Sequence, residues 1–174
     1  SARFSAPHRK AIAEHCRANG VTLASHDDAT LDHVGEALDD GVRLAEFPTS
    51  LDAARASHEA GMSVLMGAPN IVRGGSHSGN IAARDLAEAG ILDVLSSDYV
   101  PSSLLYAAFR LAEEVEAITL PQALGLVTSR PARTVGLDDR GEIAVGKRAD
   151  LARVRWQGGV PLVRSVWREG VRVV

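Results

Sequence analysis

Apolar residues recur along the first hundred positions in a repeating unit. A stretch with apolar residues at helical spacing ends in glycine, a short apolar run follows, and that run ends in polar residues. Residues 7–19 open the series, with Ala11, Ile12 and Cys16 spaced to share a helical face beside His15, and Gly20 as the stop. Residues 21–25 read as the first strand. Thr30 is placed to cap a second helix carrying Leu31, Val34, Ala37 and Leu38 before Gly41, and residues 42–46 read as the second strand. Ser50 caps a third helix over 51–60, Gly61 ends it, and 62–66 is strand again. A longer loop, 67–78, precedes a predicted helix over 79–89, then Gly90 and a fourth strand at 91–96.

Strands alternating with helices of this length predict βα units around a parallel sheet. In such sheets, open or closed, ligands bind beyond the carboxyl ends of the strands. Four polar ends fall there: Ser25-His26-Asp27-Asp28, Glu46-Phe47-Pro48-Thr49, Gly67-Ala68-Pro69-Asn70 and Ser96-Ser97-Asp98-Tyr99. A carboxylate closing a buried strand, as Asp98 does here, is either satisfied by hydrogen bonds or put to use. Two architectures fit the pattern: one face of a barrel, or an open flavodoxin-like sheet in which the polar ends are only turn and cap chemistry.

Beyond Pro101 the pattern changes. Leu104, Ala108, Leu111, Ala112 and Val115 mark a long amphipathic helix, and Thr119-Leu120-Pro121-Gln122 reads as a capping box with proline in the first turn. Residues 150–155, 160–167 and 171–174 then read as strands, separated by Gly158-Gly159 and Glu169-Gly170 turns. The shift near Leu137 divides the chain into residues 1–136 and 137–174. The second segment is too short to bury a core alone and must pack on something else.

Composition narrows the classes. At 174 residues, 45% hydrophobic and 24% charged, the chain can bury a core of its own. With a net charge of −3 and no basic block, nothing points to a nucleic-acid or membrane surface. The single cysteine, Cys16, excludes an internal disulfide and suits a reducing compartment. No apolar run approaches the ~18 residues of a membrane span, and the first ten residues lack a secretory leader's pattern, so a cytoplasmic location is the expectation.

Two stretches carry a family resemblance. Gly141-Glu142-Ile143-Ala144-Val145-Gly146-Lys147-Arg148-Ala149-Asp150-Leu151, with Thr128-Ser129-Arg130-Pro131-Ala132-Arg133 before it, resembles the C-terminal signature of the amidohydrolase superfamily. There the chain leaves a (β/α)8 metallohydrolase barrel and enters a small β-sandwich shared with the N-terminus. The four strand ends, and above all the run from Met66 to Asn80, resemble the phosphonate-metabolism diphosphatases of that superfamily. The resemblance covers essentially the whole chain. It implies release of diphosphate from a ribose 1-alkylphosphonate 5-triphosphate, in the carbon–phosphorus lyase pathway. One departure is large: superfamily members open with a His-x-His pair on the first barrel strand, and this sequence contains none. The expected chain is therefore the C-terminal half of such an enzyme, four strands of eight plus part of the sandwich, with the missing N-terminal half as its partner.

By the same resemblance, His26, Asp98 and Glu46 are the candidate metal ligands, for zinc or alternatively manganese. Asp98 is also the candidate base, and Asp27 is placed either to orient the His26 imidazole or to serve as a carboxylate facing the dipole of the next helix. Glu46 stands where many superfamily members carry a second histidine. It is equally placed to be a buried acid paired with arginine. In the loop, Arg73 can grip phosphate bidentately, and Asn70, Gly74, Gly75 and Ser76 offer amides and a hydroxyl, with a helix start near Gly79 adding its positive end. His77 suits a phosphate donor or a general acid. Each has a plainer alternative: a mobile lid for the loop, and a cap on the helix after Pro101 for Asp98. His8, His15, His33 and His58 fall in helical stretches with surface or packing roles. Two further readings stand beside the diphosphatase: an amidohydrolase acting on a cyclic amide or phosphoester, and a catalytically silent fragment or interaction module. Four strands of a barrel leave an unpaired edge at each end, so association with a second chain as a homo-oligomer, or rearrangement to an open sheet, is expected.

Overall fold

Short strands and their glycine-terminated helices build the first layer in a computed structural model that describes residues 2–76 and 79–174. Strands β1 (Ala24–His26), β2 (Leu44–Glu46), β3 (Ser63–Gly67) and β4 (Val94–Ser96) pair in parallel in chain order. Helices α1 (Ala2–Ala18), α2 (Leu31–Asp39), α3 (Leu51–Glu59), α4 (Ala68–Arg73) and α5 (Ala83–Glu88) precede or connect them. After β4 come α6 (Ser103–Glu114), α7 (Leu120–Gly125) and α8 (Ser129–Thr134), then the antiparallel strands β5 (Leu151–Gln157), β6 (Val160–Arg168) and β7 (Val171–Arg172). The four-stranded sheet is open: β1 and β4 are its edges. The edge at β4 is partly satisfied, because the Leu95 amide donates to the Leu126 carbonyl at 2.9 Å.

The register sorts the side chains. Ala45 pairs with Val64, and Met66 with Leu95, and all four are buried. Val64, Met66 and Leu95 share a core with Leu86 of α5 and Leu111 of α6. The alternate row contains His26, Glu46 and Leu65, which are aligned across β1, β2 and β3. A strand's period of two therefore puts His26 and Glu46 on the face away from Ala45 and Val64.

The caps read from the sequence are present. Thr30 accepts the His33 amide and Ser50 accepts the Ala53 amide, while the Ser50 hydroxyl also donates to Ala29 and so ties two loops together. Gln122 folds back onto the Thr119 amide at 2.8 Å, as a capping box requires. Other expectations shift. β1, β2 and β4 begin two or three residues later than predicted, although the Arg43 amide still donates to the Leu23 carbonyl and the Asp93 amide to the Val64 carbonyl ahead of the regular ladder. α1 reaches upstream of Pro7 to Ala2, with Ala13 buried and Ile12 left 56% exposed, so the stripe through Ile12 is not its buried face. In α2, Val34 and Ala37 are buried but Leu31 and Leu38 stay exposed.

The largest difference lies after β3. Residues expected as loop form α4, with Pro69 in its first turn and Gly74 in the left-handed conformation closing it. The helix predicted from Gly79 begins only at Ala83 and has six residues.

The second sheet docks on α6, with Trp156 of β5 at the contact. Trp156 stacks on Phe109 at 4.6 Å between centroids, and its indole N–H donates to Glu113 at 2.8 Å. Both two-residue turns have positive φ throughout: Gly158 and Gly159, and Glu169 and Gly170. Asp150 accepts the Glu169 amide and faces Arg148, and these contacts hold its carboxyl below the usual carboxylate range. Gly141 explains part of the tail signature. Its φ is +92°, and a Cβ there would lie 2.9 Å from Ala132 and from the backbone of α8, so only glycine fits.

Candidate active site

Three of the four parallel strands end in the same local device. The first or second residue past the strand adopts the left-handed conformation: Asp27 (φ 61°) after β1, Phe47 (φ 53°) after β2 and Asp98 (φ 49°) after β4. Aspartate visits this region readily, but a bulky phenylalanine does not, and here it also precedes Pro48. Such conformations persist where surrounding structure over-determines them. At Phe47 the restraints are plain: its amide donates to Leu65 at 2.9 Å, and the following Pro48 is fully buried. The turned residues face a common cleft of about 670 Å³ at the carboxyl ends of the strands.

β3 supplies the fourth wall by having no side chain. A Cβ on Gly67 would sit 3.0 Å from Asp98 Oδ2 and 3.5 Å from the Phe47 ring. The carboxylate of Asp98 therefore lies over Gly67, with Phe47 close by. The Phe47 ring meets the His26 imidazole edge-on, at 5.3 Å and 81°. His26 Nδ1 lies 3.0 Å from Asp27 Oδ2. Asp27 therefore stands within contact distance of the imidazole it was expected to orient. Asp28 is occupied differently: it is buried, takes the Ser25 hydroxyl at 2.5 Å, and its carbonyl accepts the Thr49 amide.

Asp98 is exposed rather than buried, although the strand before it is buried. It does not cap α6. That helix begins after Ser102 without a side-chain cap, and the Ser103 hydroxyl donates back to Val100. The plain alternative for Asp98 is therefore overturned.

The cleft gathers His26, Asn70, Arg73, Gly75, Ser76 and Asp98 from the sequence-derived candidates. Gly74 and Glu46 are not among its lining residues. Glu46 shares a row with His26 but is half-buried, and among the described residues no salt bridge reaches its carboxylate, so the arginine pairing considered for it is absent. His77 lies outside the described residues.

Within the loop, the chemistry differs from the expectation. The Gly74 and Gly75 amides donate to the Ile71 and Asn70 carbonyls, which close α4, so they are not presented to an anion. Asn70 Oδ1 accepts the Ala83 amide at the start of α5. Arg73 Nη1 donates to the Tyr99 hydroxyl at 2.9 Å. No helix N-terminus stands at Gly79.

Sequence reasoning did not single out Phe47, Tyr99, Thr49 or Ile81, which also line the cleft. Position alone was the available signal, since Phe47 and Tyr99 each adjoin a candidate ligand. His58 also has more than a surface role. Its Nδ1 lies 2.9 Å from Asp93, whose Oδ2 accepts the Val64 amide at the opposite end of the sheet.

For a divalent ion, the residues fit in kind and in part. His26, with Asp27 beside its imidazole, and Asp98 are suitable donors in one cleft. Among the described residues, no three histidine, cysteine, aspartate or glutamate side chains form a metal-binding group. These two would supply a share of a coordination shell.

A parallel βα layer with polar strand ends around a cleft, followed by a small antiparallel sheet, matches the amidohydrolase family model over residues 10–174, and the chain belongs to that family. It is 56% identical over 99% of its length to the α-D-ribose 1-methylphosphonate 5-triphosphate diphosphatase of Escherichia coli (strain K12), covering 46% of that protein. An imidazolonepropionase of Micrococcus luteus is 31% identical over 84% of the chain, which covers 39% of that enzyme. Among solved structures, Aspergillus niger ochratoxinase superposes with a TM-score of 0.69 at 17% identity, over 97% of this chain and 46% of that one, which shows the fold alone. The chain thus spans about half the length, or less, of the relatives it matches.

Proposed function

We propose that the protein to which these residues belong is a metal-dependent hydrolase releasing diphosphate from a ribose 1-alkylphosphonate 5-triphosphate. The observation that carries this reading is the 56% identity to the diphosphatase over 99% of the chain. It draws further support from the cleft, which holds an imidazole, a carboxylate and an arginine together. In the reaction, water adds to phosphorus, the bridging P–O bond breaks, and diphosphate leaves with the electron pair. Asp98 takes the proton of the attacking water. His26, oriented by Asp27, and Asp98 would hold the ion, zinc or manganese, with Glu46 in reach only if its side chain turns toward the cleft. When bound, the ion supplies positive charge and makes water acidic enough for a carboxylate to deprotonate near neutral pH. Arg73 binds the phosphate groups with its guanidinium, and Ser76 lines the same cleft. His77 is the proposed proton donor to the departing group. The remaining ligands come from the rest of the protein, which is the partner this reading requires.

Diphosphate release, measured with added zinc or manganese, tests the reading. The 174-residue chain alone should be inactive, and the chain joined to an N-terminal barrel half should be active. Asp98→Asn in the longer protein should lower kcat by ~100-fold or more, the scale on which general bases contribute. An unchanged rate would remove Asp98 from the role of base. Hydrolysis of cyclic amides instead of the triphosphate would favour the other enzymatic reading.

A further inference from the structure

Arg73 and Tyr99 reach the cleft from different directions. Arg73 closes α4 after β3, immediately before the left-handed Gly74, and Tyr99 follows the left-handed Asp98 after β4. Their side chains meet at 2.9 Å, with Arg73 Nη1 as donor and the Tyr99 oxygen as acceptor. Both line the same cleft as His26 and Asp98. Tyr99 is 60% exposed and Arg73 is also exposed, so the bond competes with water and contributes little to folding. Its consequence is geometric. A guanidinium has five N–H donors in a rigid plane. With Nη1 taken by Tyr99, the edge formed by Nε and Nη2 remains, and that edge matches two oxygens of one phosphate.

We propose that Tyr99 is the positioning residue of Arg73: its hydroxyl holds the guanidinium by Nη1 and leaves the Nε–Nη2 edge for a polyphosphate group in the cleft. The inference rests on the reading above for its substrate but not for its geometry. An arginine left to itself loses rotamer freedom on binding an anion. One already held in place has lost part of that freedom beforehand, which tightens binding. Because the hydrogen bond joins the segments after β3 and β4, it also places the phosphate-binding group relative to Asp98. Lysine at position 73 would keep the charge but not the planar fork.

The test uses the full-length protein that contains this chain. Inorganic tripolyphosphate serves as a competitive ligand, followed by calorimetry and by inhibition, and the ribose triphosphate serves as substrate. Tyr99→Phe should weaken tripolyphosphate binding and raise KM by ~10-fold, with a smaller fall in kcat, a tenfold change being the scale of a single held hydrogen bond to a charged group. Arg73→Ala should cost more, and Tyr99→Phe should add nothing to it. Arg73→Lys should be as insensitive to Tyr99→Phe as Arg73→Ala. Thermal midpoints should stay together across the set, since both side chains are exposed. Unchanged binding in Tyr99→Phe, or effects of the two substitutions that multiply, would overturn the positioning role. If the unmodified protein fails to hydrolyse the triphosphate yet binds tripolyphosphate with the two residues coupled, the reaction assignment falls and the positioning role stands. Hydrolysis with no response to Tyr99→Phe would mean the reverse.

Discussion

Single residues in the cleft do their work through neighbours. His26 has Asp27 3.0 Å from one ring nitrogen and meets the Phe47 ring edge-on. Asp98 has its place because position 67 is glycine: the absent methyl is the space its carboxylate occupies. Gly67 has an ordinary φ of −76°, so alanine is conformationally acceptable there. Gly67→Ala should therefore fold with a nearly unchanged thermal midpoint while displacing the carboxylate. A displacement of a few tenths of an ångström at a reacting group should lower kcat of the longer protein by ~10-fold, given that misplacement by about 1 Å can cost ~100-fold. A rate equal to that of the unsubstituted protein would show that Asp98 can move without consequence.

At the scale of elements, the parallel strands are joined at both ends by side chains. At the carboxyl ends the joined residues line the cleft. At the opposite end, Asp93 is the tie: its amide donates to the Val64 carbonyl, its Oδ2 accepts the Val64 amide at 3.0 Å, and His58 sits 2.9 Å away. Val64 is fully buried. Asp93→Ala should leave that amide without a partner and destabilise the chain by about 2–3 kcal/mol, the penalty of an orphaned buried donor. Asp93→Asn keeps an acceptor oxygen and should lose less. Chemical denaturation of the three proteins checks the order. The elements themselves were largely legible beforehand. Glycine stops, Thr30 and Ser50 caps and the Thr119–Gln122 box act within a few residues, so local sequence is enough to reveal them. α4 was not legible, because Gly67-Ala68-Pro69-Asn70 resembles loop composition and its helix is closed by a glycine that also reads as flexible.

Across the whole molecule, the two sheets are separate hydrogen-bonded systems that meet on α6. The expectation that the C-terminal strands must pack on something else is met by Trp156 on Phe109. Trp156→Ala should undock this hairpin and lower stability by about 2–3 kcal/mol, from lost apolar area and a lost aromatic stack. Trp156→Phe should recover most of it while losing only the Glu113 hydrogen bond. The shift in the denaturation midpoint, read together with the near-ultraviolet circular dichroism of the tryptophans, separates undocking from global unfolding. Among the described residues, no helix is long and apolar enough to cross a membrane.

The sequence by itself determined the βα order, the parallel sheet, the cleft at the strand ends and the family, because hydrophobic period, caps and motifs are local and ordered along the chain. It also marked His26, Arg73 and Asp98, which lie one at each of three strand ends or in the segment just beyond. Only the tertiary structure decided which of the candidates face one another. It turned Asp27, Phe47 and Asp98 into the cleft through left-handed backbone, committed the Gly74 and Gly75 amides to closing α4, left Glu46 outside the lining, and joined Arg73 to Tyr99. Apart from the glycine amides, whose bonds are local, those outcomes depend on register and on contacts between residues far apart in the chain, such as Arg73 with Tyr99, and no local pattern carries that information.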